Sequence, residues 1–109
     1  MALSEDRFMM LLIFFDLPTD TKKARREYGN FRRYLLKNGF MMLQFSVYAR
    51  VCKGQENIKN QLNKLKFALP SSGNIRALQI TNNQYNAMEI LLGTIKPEEA
   101  VANQQLILL

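Results

Sequence analysis

The feature that most limits how this chain can fold is the run FMMLLIFF, Phe8 to Phe15, which contains no polar residue and ends against Asp16. Both sets of alternate positions are apolar, so a strand made from it needs cover on both faces, as the inner strands of a sheet have. The run also bears a superficial likeness to a secretion signal. Glu5 and Asp6 stand where a basic leader belongs, however, and Asp16 stands where a small-residue cleavage site belongs, so a core strand is expected. No segment approaches the ~20 apolar residues that span a bilayer. A soluble, cytoplasmic protein with no membrane partner is expected.

Past Asp16, Leu17-Pro18 forces a turn, because a residue before proline is biased away from helix. Thr19, Asp20 and Thr21 are candidate N-caps for a helix over 22–38. Its apolar stripe is Ala24, Tyr28, Phe31 and Leu35, and Asn38-Gly39 is a suitable stop. Residues 40–52 alternate with period two. Leu43, Phe45, Val47, Ala49 and Val51 share one face, and Gln44, Ser46, Tyr48 and Arg50 share the other. With no Gly or Pro inside, the stretch reads either as one long strand or as two short ones. A second helix is expected over 54–69, striped by Ile58, Leu62, Leu65 and Leu69 and broken by Pro70-Ser71-Ser72-Gly73. NIRALQIT, 74–81, reads as a strand and 82–86 as a polar turn. EILLG, 89–93, reads as a short strand, and the last four residues as a final one. Met9, Met10, Met41 and Met42 fall in strand patterns as core filler. Two similar helices on one face of a small antiparallel sheet make an α+β sandwich of the ferredoxin-like type, βαββαβ with an extra C-terminal strand.

At 109 residues the chain suits one domain, over 1–93, with 94–109 as a tail or strand contributing to a dimer. A domain of this size buries roughly two-thirds of the surface its unfolded chain exposes. The apolar ending QQLILL points to further cover from a partner. The charge is uneven. Of 15 Lys and Arg, thirteen lie between Thr21 and Met88, with only Glu27 and Glu56 to balance them. A middle section this cationic suits a polyanion. The single cysteine, Cys52, excludes an internal disulfide and fits a reducing compartment. The chain has no histidine, which removes His-based triads, His-ligated zinc and imidazole bases.

Asp16 is the first candidate for chemistry. The end of a central strand is a rigid platform, and Mg²⁺ takes only one or two protein carboxylates while keeping several waters. One acidic position therefore suffices if a dimer supplies it twice. The alternative is a polar stop that accepts backbone N–H groups in the turn before the helix. Asp20, in the loop, suits a cap better than a ligand. The second candidate is the basic set Lys22, Lys23, Arg25, Arg26, Arg32, Arg33 and Lys37, in which KKARRE and FRRYLLK hold seven bases against one acid. A salt-bridged helix surface would be better balanced, and arginine suits bidentate phosphate contact. Ser46 and Tyr48 are placed on the polar side of the middle strand near Arg50. Ser46 lacks a base to make it a nucleophile and suits a hydrogen bond near a phosphate or at an interface. There is no Gly-rich phosphate loop, CxxC pair or aromatic RNA-stacking motif, which weighs against an RNA-binding or regulatory module of another kind.

Together, LLIFFDLPTDT, FRRYLLKNGFMMLQFSVYARV, IRALQITNNQY and MEILLG resemble the small CRISPR-associated adaptation protein Cas-two, in the form found beside a single large effector nuclease. The likeness covers roughly residues 8 to 93, and the pair FFDLP and GFMMLQFSVY is its most specific part. It implies a ferredoxin-like protomer in a symmetric homodimer, with a C-terminal segment adding a strand to the partner's sheet. It also implies that 40–52 is split into two antiparallel strands. The aspartate that ends the first strand, here Asp16, is implied to bind a divalent metal (Mg²⁺ or Mn²⁺) between protomers. Two carboxylates ~8 Å apart repel by about 2 kcal/mol at an effective dielectric of 20, which a shared cation relieves. Cleavage of RNA or double-stranded DNA is attributed to some members, in which case Asp16 is the catalytic metal position and Lys22, Lys23, Arg25 and Arg26 are near enough in sequence to stabilise developing phosphate charge. The resemblance further implies a scaffold that holds double-stranded prespacer DNA and bridges subunits of the integrase Cas-one in spacer acquisition. Lys22, Lys23, Arg25, Arg26, Arg32, Arg33, Lys37 and Arg50 are then the phosphate contacts.

Overall fold

The computed structural model describes residues 8–94. The apolar run forms β1, Phe8–Asp16, and it lies inside the sheet. The other elements are α1 (Lys22–Lys37), β2 (Met41–Gln44), β3 (Val47–Lys53), α2 (Gly54–Leu65), β4 (Asn74–Thr81) and α3 (Asn82–Asn86). The sheet runs β2-β3-β1-β4, and β1 pairs antiparallel with β3 on one side and with β4 on the other. This is the expected ferredoxin-like α+β layout.

The two faces of β1 separate into two cores. Leu11, Ile13 and Phe15 pack with Phe31 and Leu35 of α1, Ile58 and Leu65 of α2, and Tyr48 and Cys52 of β3. The ring of Phe15 is edge-on to Phe31 at 5.3 Å and stacked on Tyr48 at 5.6 Å, geometries that add to simple area burial. Phe8, Met10 and Leu12 on the opposite side meet Ala49 and Tyr85, with Phe14, Leu43, Val51 and Ile80 around them.

Local chemistry sets the helix ends. Thr21 caps α1, its hydroxyl accepting the Ala24 N–H at 3.0 Å. At the far end Asn38 closes the helix and Gly39, at φ 87°, turns the chain where a side chain would be strained.

Of the two readings left open for residues 40–52, the structure takes the antiparallel pair that the resemblance implied, and the turn between β2 and β3 uses Ser46 at φ 64°, a conformation that neither Gly nor Pro announces. Four expectations are corrected. Tyr48 and Arg50, placed on a polar side, face the helices: Tyr48 is only 1% exposed, its ring in the core and its hydroxyl accepting from Arg32 Nε at 2.8 Å. An amphipathic ring of this kind hides its body and keeps one polar tip satisfied. Helix α2 stops at Leu65 rather than Leu69. The N–H groups of Phe67 and Ala68 reach back three residues, and Leu69 before Pro70 leaves the stripe. Residues 82–86 are a short helix, fixed by a capping box in which Thr81 and Gln84 bond reciprocally. EILLG is not a strand; residues 88–94 belong to no regular element, and Leu91 and Leu92 are 90% and 96% exposed. The strand expected over the last four residues lies outside the described residues.

Candidate metal and nucleic-acid site

Asp16 is the last residue of β1 and is exposed between two buried neighbours, Phe15 and Leu17. Those two apolar side chains anchor in the helix-side core, so alternation sends the Asp16 side chain to the other side, that of Leu12 and Phe14. Its backbone is held from both flanks. In β4, Asn74 lies opposite Asp16, and from the hairpin the Ser46 carbonyl accepts the Phe15 N–H at 3.0 Å. Ser46 thus meets the site through its backbone, not through a nucleophilic hydroxyl.

Among the described residues no group of three or more His, Cys, Asp or Glu side chains converges. Asp20 is exposed in the bend before α1. The donor set available to an ion at Asp16 is therefore one hard carboxylate per chain. It fits Mg²⁺ or Mn²⁺, which accept few protein oxygens and retain water, and it does not suit a soft or borderline ion.

The basic residues fall into two groups. Lys22, Lys23, Arg25 and Arg26 are exposed on the first turn or so of α1, directly after the loop that leaves Asp16. Arg25 Nη1 donates to the Thr19 carbonyl at 3.0 Å, tying the helix to that loop. Arg32, Arg33 and Lys37 continue the exposed surface, with Arg33 bonded to Asn30 Oδ1 and Arg32 to Tyr48. Arg50 differs. Half-buried, it donates to the Asn38 carbonyl at 2.8 Å, the Val51 carbonyl at 3.1 Å and Asn57 Oδ1 at 3.3 Å, and so ties β3 to both helices. Its guanidinium is committed to the protein's own acceptors.

Two features escape sequence reasoning. The sheet face opposite the helices carries a cleft of about 430 Å³ whose walls include Leu12, Phe14, Val47, Leu78, Tyr85 and Ile90. The alternation of residues 43–51 marks that face as apolar without saying that, among the described residues, neither long helix covers it. The other feature is a contact between Glu27 and Ser71, 44 residues apart, for which sequence spacing gives no signal.

The fold defines a small ferredoxin-like α+β protein, with an exposed carboxylate at the end of an inner strand and a cationic first helix. The chain belongs to the Cas-two family of CRISPR-associated proteins: the family described as CRISPR associated protein Cas2 matches residues 9–88. Its relatives include proteins named CRISPR-associated endoribonuclease Cas2 in three bacteria. The one in Campylobacter jejuni is 48% identical over 100 residues, 92% of this chain and 70% of the relative. That of Flavobacterium psychrophilum is 41% identical over 104 residues, 95% of this chain and 90% of the relative. That of Treponema denticola is 36% identical over 101 residues, 93% of this chain and the full length of the relative. Among the described residues no helix is long and apolar enough to cross a membrane.

Proposed function

We propose that the chain is a cytoplasmic, homodimeric protein of CRISPR spacer acquisition that holds double-stranded prespacer DNA and bridges subunits of the Cas-one integrase, with an endonuclease centre at Asp16. The observation that carries this reading is the side on which Asp16 emerges. The carboxylate leaves β1 on the same side as the uncovered apolar face, so a second copy docked on that face brings a second Asp16 towards the first. Asp16 of each copy would hold Mg²⁺ or Mn²⁺, whose charge would offset the repulsion between the two carboxylates. When bound, the ion supplies charge neutralisation at a phosphate and Lewis-acid polarisation.

The chain's own residues do the rest. Lys22, Lys23, Arg25 and Arg26 bind the phosphates on either side of the scissile one and stabilise charge that develops there. Arg32, Arg33 and Lys37 extend the grip along α1. Residues 1–93 form the domain, and 94–109 reach the partner. Among the described residues the outer side of β4 is a sheet edge, and the segment after Met88, in no regular element and with Leu91 and Leu92 exposed, supports a strand that pairs with the partner's β4. Cleavage of RNA is the activity that the relatives' names favour.

One experiment tests both halves. Labelled duplex DNA and single-stranded RNA are mixed with the protein in Mg²⁺ or chelator, beside an Asp16→Ala variant, and binding and cleavage are read from the same samples. Cleavage that requires both Mg²⁺ and Asp16, with binding retained in the variant, is the expected result. RNA and duplex both left intact, with the duplex bound equally by both proteins, would remove the nuclease and leave the scaffold. No duplex binding at moderate salt would overturn the scaffold.

A further inference from the structure

The short turn between α2 and β4, residues 70–73, lies against Asp16 with no space to spare. Gly73 has φ 104°, and a Cβ built on it would stand 2.8 Å from the Asp16 carbonyl oxygen and 2.7 Å from Leu17 Cδ2. Contacts under about 3.0 Å do not occur for real Cβ atoms, and the first of these two is against backbone, which has no rotamer to yield. Gly73 is therefore needed twice: for its positive φ, and for the approach of the turn to the Asp16–Leu17 peptide. The residue after it, Asn74, is the β4 partner of Asp16 itself.

The turn is also fastened from outside. Ser71 Oγ donates to Glu27 Oε2 of α1 at 2.8 Å, a charge-assisted bond that crosses from the basic helix to the turn. Glu27 is one of only two acids between Thr21 and Met88, and its carboxylate is used here on a serine rather than on the adjacent cations. The order of contact is then Glu27 to Ser71, Ser71 through the turn to Gly73, and Gly73 onto the backbone that carries Asp16.

We propose that Glu27, Ser71 and Gly73 are positioning residues that fix the Asp16 carboxylate in the orientation a divalent cation needs. The inference rests on the reading of Asp16 as a metal position. A lone carboxylate per chain has no neighbouring ligand to orient it, so its direction depends on how firmly the strand end beneath it is held. Partners bonded directly to a ligating side chain change metal affinity by about 10- to 100-fold when lost. These three act on Asp16 through its backbone and are expected to fall at or below the lower end of that range.

The test is Mn²⁺ binding to the full-length protein by calorimetry, well below the melting temperature, with melting curves recorded in parallel. The variants are Gly73→Ala, Ser71→Ala, Glu27→Ala, Glu27→Gln and Asp16→Ala. Ile58→Val, a core change far from the turn in sequence, serves as a control for general loss of stability. Expected is Mn²⁺ binding that Asp16→Ala abolishes and that Gly73→Ala, Ser71→Ala and Glu27→Ala each weaken measurably, by up to about 10-fold. Glu27→Gln, whose amide oxygen still accepts from Ser71, restores most of it, and Ile58→Val leaves it unchanged. If Gly73→Ala does not fold, the Ser71 and Glu27 variants decide. Wild-type affinity in those variants, with Asp16→Ala inactive in binding, overturns the positioning role alone. Loss of metal in Glu27→Gln but not in Ser71→Ala overturns it in favour of Glu27 as a ligand. Mn²⁺ binding that is absent in the wild type, or indifferent to Asp16→Ala, overturns the metal reading and the positioning role with it.

Discussion

The two faces of the sheet are built from the same kind of residue and meet different neighbours. On one, Leu11, Ile13 and Phe15 are closed over by two amphipathic helices whose stripes supply Phe31, Leu35, Ile58 and Leu65. On the other, Leu12 and Phe14 continue outward to Leu43, Val47, Leu78 and Ile80 around an open cleft, and among the described residues the short α3 and the segment after it line its rim. Leu78, in the middle of β4, is 49% exposed. Leu12 is buried on this face, but the outer side chains, Leu78 among them, stay half in water. An exposed apolar face on a protein otherwise rich in charge is what the proposed dimer would cover.

The comparison breaks most visibly at its covered side. Phe31→Ala removes a ring that is almost fully buried between α1 and Phe15, and a loss of about 3–5 kcal/mol is expected. Denaturant unfolding measures it. A loss under 1 kcal/mol would mean that the helix-side core is looser than the packing indicates.

A matched change on the open side should behave in the opposite way. Leu78→Asp puts a charge on the exposed face and is expected to convert the proposed dimer to a folded monomer, seen as halved mass in sedimentation with the far-ultraviolet spectrum preserved. A variant that stays dimeric would move the subunit contact off this face and remove the geometric support for paired Asp16 carboxylates.

These two faces also show why parts of the structure were legible in the sequence and others were not. The helix stripes, the double-faced β1 and the cap at Thr21 are local patterns with a fixed period or spacing, and they appear in the chain as written. The direction of the β3 faces is not local. Tyr48 and Arg50 look polar in a list of residues, yet one buries a ring and the other satisfies its guanidinium on backbone carbonyls, so the side that reads as wet is the inner one. Asp16 stands out as a candidate because an abrupt charge after eight apolar residues is conspicuous. The bond between Ser71 and Glu27 does not, because the two meet only through tertiary folding.

A third and smaller effect concerns charge rather than packing. Replacing Lys22, Lys23, Arg25 and Arg26 with alanine is expected to weaken binding to every duplex alike, whatever its sequence. The salt dependence should also flatten, by about 0.9 in log–log slope for each phosphate contact removed. Filter or anisotropy titrations at several salt concentrations check it. A loss confined to one sequence would make these side chains readers of bases and not holders of backbone.

The smallest expected effect sharpens the comparison from inside the covered face, which hides polar groups as well as apolar ones. Cys52 is almost fully buried there, and burial pushes its thiol above the ordinary value of 9.0; Arg50, donating to Sγ at 3.6 Å, opposes that only in part. A thiol that resists ionisation in the folded state costs nothing while both states keep the proton, so it leaves stability level through neutral pH. Once the pH passes 9.0 the unfolded chain releases its proton first, the unfolded state is favoured, and stability falls as the pH rises. Tyr34, whose hydroxyl is buried without a partner and is also raised by burial, acts in the same direction, beginning above its ordinary 10.0. Denaturant midpoints taken between these two values isolate the thiol. Cys52→Ala lowers the midpoint at every pH through the cavity it leaves, but its midpoints should vary less with pH over that window than those of the parent. Parallel curves for the two proteins would mean that Cys52 is reached by water, and that the helix-covered face is less tightly closed than the open face beside it is open.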